Sequence, residues 1–192
     1  MNFIAIETST NICSVSLFEN SKLKSKLEDK TREHSKILPV YVNKLVNKVS
    51  LDYIALSIGP GSFSSLKIGT SFSKGLANAL NIPIVPIPTF DGMKSNINYK
   101  GTFCIFIYSH QDYIFSNLYN QSNNISNYKC ININKLNDYK LYGYGIPEDL
   151  EVKYNEVIPD SEKIGLLSLE KFELFKDKDI NNINPYYLMV EK

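Results

Sequence analysis

FIAIETSTNICSVSLFEN, residues 3–20, reads as two short strands around a polar turn. Phe3–Ile6 is an unbroken apolar run, ETSTN turns the chain, and Val15 and Leu17 then alternate with Ser14 and Ser16. The pattern returns as CIFIYSHQDYIFSNLYNQ, residues 104–121, at a constant offset of 101 residues. Apolar strand, polar turn and alternating strand, repeated in one register, predict a duplicated unit and therefore two related α/β lobes.

The rest of the first lobe follows from local signals. A third strand is expected over Leu23–Leu27, then a helix from about His34 to Val49, where Leu38, Val42 and Val46 recur at helical spacing. Pro39 falls in its first turn, where proline is tolerated. A buried strand over Tyr53–Ile58, a glycine-rich loop, a helix ending near Leu80 and a strand over Ile84–Ile87 complete the order. Beyond Lys100 the chain is rich in Asn, Tyr, Ile and Lys, and Asn117–Lys140 is polar enough to suggest long loops. A Gly-Tyr-Gly turn at Gly143–Gly145 and a helix around Ile164–Phe175 follow. The expected division is 1–90 for the first lobe and 91–192 for a smaller second one.

Composition narrows the function classes. At 192 residues and 43% hydrophobic, the chain can bury a substantial core, and no apolar run approaches the ~20 residues of a membrane span. MNFIAIETST lacks the pattern of a secretion signal, so a cytoplasmic location is expected. Cys13, Cys104 and Cys130 are odd in number, far apart and without C-x-x-C pairing, which suggests free thiols rather than disulfides or zinc ligands. A formal net charge of +1, without a clustered basic stripe, gives no indication of direct nucleic-acid binding.

The loop GPGSF, Gly59–Pro60–Gly61–Ser62–Phe63, invites a phosphate-binding reading. Five residues after Gly59 stands Ser64, and five after Gly61 stands Leu66, so the P-loop spacing is missing. G-x-G-x-x-G fits little better, because the third glycine is Ser64 and the next strand ends at Pro88 rather than at an acid. Ser62 could cap the following helix, and an anion at that N-terminus stays open as an alternative. Within this helix Ser65, Gly69, Ser73 and Ala77 fall four residues apart and form a stripe of small side chains. The stripe either packs on the protein's own sheet or receives a helix of another chain, with Phe72, Leu76 and Leu80 on a different face.

FIAIETSTNICSVSLF, REHSKILP, IALSIGPGSFSSLKIG with the following KGLANAL, and the closing PYYL together resemble the TsaB (YeaZ) family. That family is the non-catalytic partner in bacterial synthesis of threonylcarbamoyladenosine in tRNA. The resemblance is specific through about Asp91 and loose over Lys100–Asp179, where the chain is shortened. It implies a two-lobed actin-like (ASKHA, RNase H-like) α/β fold with mixed sheets and duplicated hairpins. It also implies pairing with a TsaD-like catalytic subunit through N-terminal-lobe helices, docking of a TsaE-like ATPase on the pair, and self-association as an open question for the lone chain. On this basis the partner interface is expected at Ser65, Gly69, Ser73, Ala77 and His34, with Gly59–Phe63 as a structural loop. No cofactor is expected on the chain itself, a nucleotide being placed instead at the interface with partner subunits.

The departures bear on chemistry. Glu7 stands where the family usually has Asp, Ser62–Lys67 reads SFSSLK for S-F-T-G-L-R, and Tyr108–Ser109–His110 replaces D-A-R. Without an acid at Tyr108, the alternative of a self-sufficient actin-like ATPase or kinase loses its second charged turn. The catalytic sisters bind metal through H-x-x-x-H, whereas here His34 is followed at that spacing by Leu38, and His110 lies in the other lobe. Ser35 beside His34 lacks a nucleophile elbow, and nothing pairs Glu7, Asp52 or Asp112 for acid–base work. No catalytic residue and no metal site are assigned.

Overall fold

The computed structural model describes residues 1–190 apart from 122, 137 and 177. Five strands form the first sheet: β1 (Phe3–Glu7), β2 (Ile12–Glu19), β3 (Lys22–Lys30), β4 (Tyr53–Ser57) and β5 (Ile84–Ile87). Their spatial order is β3-β2-β1-β4-β5, with β1 antiparallel to β2 and parallel to β4. Between them run α1 (His34–Val46) and α2 (Phe63–Leu80), and α3 (Thr89–Lys94) follows β5. β1 and β4 are buried along their whole length because the sheet is covered on both faces. Ile4, Ile6, Ile54 and Leu56 point to the α1–α2 side, and Phe3, Ala5, Tyr53 and Ala55 to the other.

The second sheet repeats this plan. β6 (Thr102–His110) and β7 (Tyr113–Asn120) form the hairpin; β8 (Asn123–Asn124) and β9 (Lys129–Asn132) pair with β7; β10 (Lys140–Tyr144) and β11 (Asn155–Glu156) add in parallel beyond β6. Both sheets therefore share one order: a hairpin, an antiparallel strand outside its second member, and two parallel strands outside its first. The stretch expected to hold long loops supplies β8, β9 and a 3-10 turn at Ile133–Leu136. Gly143 is part of β10, its missing Cβ leaving room for the Phe106 ring, and Gly145, at φ +91°, makes the turn.

The hairpins correspond with a one-residue slip. Phe3 pairs with Phe18, but Phe103 rather than Cys104 pairs with Tyr119. An irregularity between Tyr108 and His110 absorbs the difference, and His110 pairs with Tyr113 across a turn tighter than that of the first hairpin.

α4 (Ser161–Phe175) completes the first sheet although it follows the second in sequence. Gly165 lies against the Phe18 ring and the Ala5 methyl, so any larger residue would lift the helix. Phe18, Phe3, Tyr53 and Phe172 stack in succession at centroid separations of 4.5, 4.3 and 4.9 Å, and each such pair contributes roughly 0.5–1.5 kcal/mol beyond its buried area. The polar ends are also matched: Tyr53 Oη lies 2.9 Å from Ser168 Oγ, and the hydroxyls of Ser14 and Ser16 each lie 2.7 Å from that of Ser161. α4 also meets α3, where Ile164 fills the space left by Gly92, and α3 in turn packs on the second sheet through Phe90 and Met93. The lobes are thereby joined through α3, Ile12 and a hydrogen bond of 3.0 Å from Tyr144 Oη to Asn11 Oδ1.

Candidate functional site

The GPGSF loop is held from three sides. Gly59, at φ +91° and followed by a cis peptide to Pro60, offers its carbonyl to the Thr89 N–H at 2.8 Å. Gly61 presses on the Ser9 carbonyl, so closely that a Cβ would overlap it, and the same carbonyl accepts from the Ser62 N–H at 2.7 Å. From the C-terminal tail, the Tyr186 N–H donates to Ile58 at 2.8 Å. The loop thus pins the first hairpin turn, α3 and the tail to one another. Ser62 occupies the N-cap position of α2, yet its side chain makes no capping bond.

The stripe lies inside the molecule. Gly69, Ser73 and Ala77 are buried, and Ser65 is half-buried. A Cβ at Gly69 would collide with Thr8 Oγ1, which donates at 3.0 Å to the Ser65 carbonyl. The expectation that Ser65, Gly69, Ser73 and Ala77 present a partner surface is corrected here: small residues let α2 settle closely on its own sheet and on the first hairpin turn. His34 is corrected likewise. It is 1% exposed at the start of α1, tucked against the carbonyls of Thr10 and Ile12, and burial pushes its imidazole below the ordinary histidine range.

What α2 does present outward is a groove shared with α1. Leu38 and Pro39 form one side, Phe63, Ile68 and Phe72 the other, and exposed Ser35, Ser64, Lys67 and Ser71 rim a space of about 570 Å³. Phe63 is 59% exposed and packs on Tyr187 of the tail at 4.5 Å between centroids. Sequence reasoning placed Phe72 and Leu76 on a separate face of α2, but pairing that face with Pro39 across α1 is a tertiary fact with no local signal.

A second concavity of about 490 Å³ opens between the lobes. Ser9, Thr10, His34 and Ser65 line it from the first lobe and Tyr108 and Ser109 from the second, and among the described residues no carboxylate lines it. Glu7 is buried at the end of β1, where its Oε1 accepts from the Ser9 N–H; desolvation pushes its carboxyl above the usual range despite hydrogen bonds from Ser57 and Ser9. Asp52 is spent on the Asn2 N–H at 2.7 Å, and Asp112 is exposed. His110 is exposed and stacked on Tyr113, with Nδ1 2.9 Å from Ser109 Oγ. Among the described residues no group of three His, Cys, Asp or Glu is placed to hold a metal. All three cysteines are free and buried, and burial pushes Cys13 and Cys104 up to about 12.

Two mixed sheets of one strand order, each begun by a hairpin and facing a common cleft, define a two-lobed α/β protein of the actin-like class. Over residues 26–117 the chain matches the family model described as TsaD, tRNA N6-adenosine threonylcarbamoyltransferase. Curated relatives named tRNA threonylcarbamoyladenosine biosynthesis protein TsaB include one from Buchnera aphidicola subsp. Schizaphis graminum, 36% identical over 91 residues, and one from Escherichia coli, 32% identical over 94. These matches cover 45% and 46% of this chain, and 43% and 41% of the relatives. The chain therefore matches less than half the length of either. The solved structure of YeaZ from Pseudomonas aeruginosa superposes with a TM-score of 0.78 at 19% identity, covering 97% of this chain and 99% of that one, a likeness of fold. The N-terminal half is thus similar in sequence to TsaB proteins, and the whole chain shares the fold of YeaZ.

Proposed function

We propose that this chain is a non-catalytic subunit in the synthesis of threonylcarbamoyladenosine in tRNA, and that it pairs through the α1–α2 groove with a TsaD-like catalytic subunit. The observation that carries the reading is the match over residues 26–117, a span that contains both helices of the groove. The catalytic partner transfers threonylcarbamoyl from its adenylate to the adenosine beside the anticodon, and a TsaE-like ATPase joins the pair. A nucleotide belongs at the shared interface rather than on this chain alone, and the setting is the cytoplasm.

The groove suits a helical partner. Its floor is apolar, its rim carries hydroxyls and Lys67, and burying apolar area is worth roughly 25 cal/mol per Å². Ser71 is exposed on this rim, so Ser71→Arg should leave the fold intact while placing a bulky charge in the contact. Calorimetric titration with the TsaD-like subunit is expected to show binding weakened about tenfold or more, since 1.4 kcal/mol already produces that factor. Undiminished affinity in the folded variant would move the interface elsewhere.

A further inference from the structure

The chain passes between the lobes three times. It leaves the first lobe through residues 95–101, which hold no helix or strand, and returns after Val157 to seat α4 on the first sheet. The third passage is the C-terminal tail. Ile183 is buried in the first-lobe core, Lys74 Nζ donates to the Asn181 carbonyl at 3.0 Å, and the Tyr186 N–H reaches the Ile58 carbonyl at 2.8 Å. A few residues on, Val190 pairs in parallel with Cys130 of β9, in the second sheet.

Aromatic rings mark this passage. Tyr186 meets Tyr128 edge-on at 5.0 Å between centroids, and Tyr128 meets Phe90 of α3 in the same manner at 5.7 Å. Tyr128 packs with the second-lobe core, so a single tail ring bears on that core and, through it, on the helix that joins the lobes. Tyr187 lies instead against Phe63, at the first turn of α2. Residues 186–190 thus grip both lobes.

The grip is shallow. Tyr186 is 39% exposed, Tyr187 48% and Met189 90%, whereas the Cys130 beside Val190 is 2% exposed. Segments that bury little apolar area open locally at a lower free energy than the whole fold. Opening here strips Cys130 of its neighbour and leaves the lobes joined through α3, Ile12 and the bond from Tyr144 to Asn11.

We propose that residues 186–190 are a releasable strap that fixes how the two lobes sit on each other. Seated, it holds the second sheet to the first lobe; released, it lets the lobes part about residues 95–101 while each stays folded. The cleft takes a wall from each lobe, so the strap sets its width.

Full-length parent and Tyr186→Ala chains are labelled with N-ethylmaleimide, modification of each cysteine is timed by peptide mass spectrometry, and small-angle X-ray scattering is recorded on both. The substitution removes the ring and keeps the N–H. Cys130 is expected to react about tenfold faster in the variant, as loss of an aromatic contact with its buried area would give, while Cys13 and Cys104, both 0% exposed, keep their parent rates. The radius of gyration is expected to rise. Phe63→Ala, at a position 59% exposed, loosens the other aromatic hold without entering the core and should act in the same direction; it decides alone where Tyr186→Ala does not fold. An unchanged Cys130 rate in the folded variants, equal acceleration of all three thiols, or a faster Cys130 at an unchanged radius would overturn the strap.

Discussion

Glu7 ends β1 with its carboxyl fully buried and one carboxylate oxygen bonded to the Ser9 amide. Its pKa is raised by desolvation, so above the ordinary carboxylate range the folded chain still holds a proton that the unfolded chain releases. Such a group contributes its full stability below the ordinary value, and the contribution is lost as pH rises through the folded one. Glu7→Gln keeps an oxygen for the Ser9 N–H and cannot ionise. Urea denaturation should find this variant more stable than the parent at pH 8, on the order of 1 kcal/mol for each unit by which the parent's pKa is raised, with the gap closing toward pH 4. A variant weaker than the parent at every pH would mean that the charge itself is used. The opposite sign holds for His34: its lowered pKa makes the folded chain lose stability as pH falls below the ordinary histidine value. Both residues were visible in the sequence as polar groups near strand or helix ends; that they are buried was not, because burial depends on elements far along the chain.

At the scale of one element, α2 shows what periodicity can and cannot say. Four-residue spacing found two faces, a small one through Gly69, Ser73 and Ala77 and an apolar one through Phe72 and Leu76. Either could point inward on hydrophobicity alone. Close approach of the Thr8 turn decides it, since only glycine at position 69 leaves room. Ser73 is fully buried on that face, so Ser73→Leu should destabilise the fold by roughly 1–3 kcal/mol of overpacking, a lowering of the melting temperature readable by calorimetry. Normal stability with impaired partner binding would instead return the stripe to the surface. β1, β4, β5 and the starts of α1 and α2 were legible because each is a compact run with its own boundary signal. α3 was missed, having only six residues and no full helical repeat.

For the whole molecule, the repeat between residues 3–20 and 104–121 carried the architecture, and both sheets share its strand order. The slip at Ser109 was hidden because an offset in sequence fixes alignment, while a local irregularity resets pairing. The seat of α4 was hidden for another reason. Its partners Phe18 and Ala5 lie more than a hundred residues away, and only the assembled sheet offers the place that Gly165 fits. The groove and the cleft are products of the same assembly, drawing their walls from segments that share no local pattern. The proposed role for this chain is that of a partner pairing through the outward groove. Reconstitution tests that most directly: threonylcarbamoyl transfer to tRNA is measured with the TsaD-like and TsaE-like subunits, threonylcarbamoyl-adenylate and ATP, with and without this chain. Transfer is expected to require the chain, to fall with Ser71→Arg in step with weakened pairing, and to be absent when the chain is supplied without the TsaD-like subunit. Full transfer in its absence, or transfer by the chain alone, would contradict the proposed role.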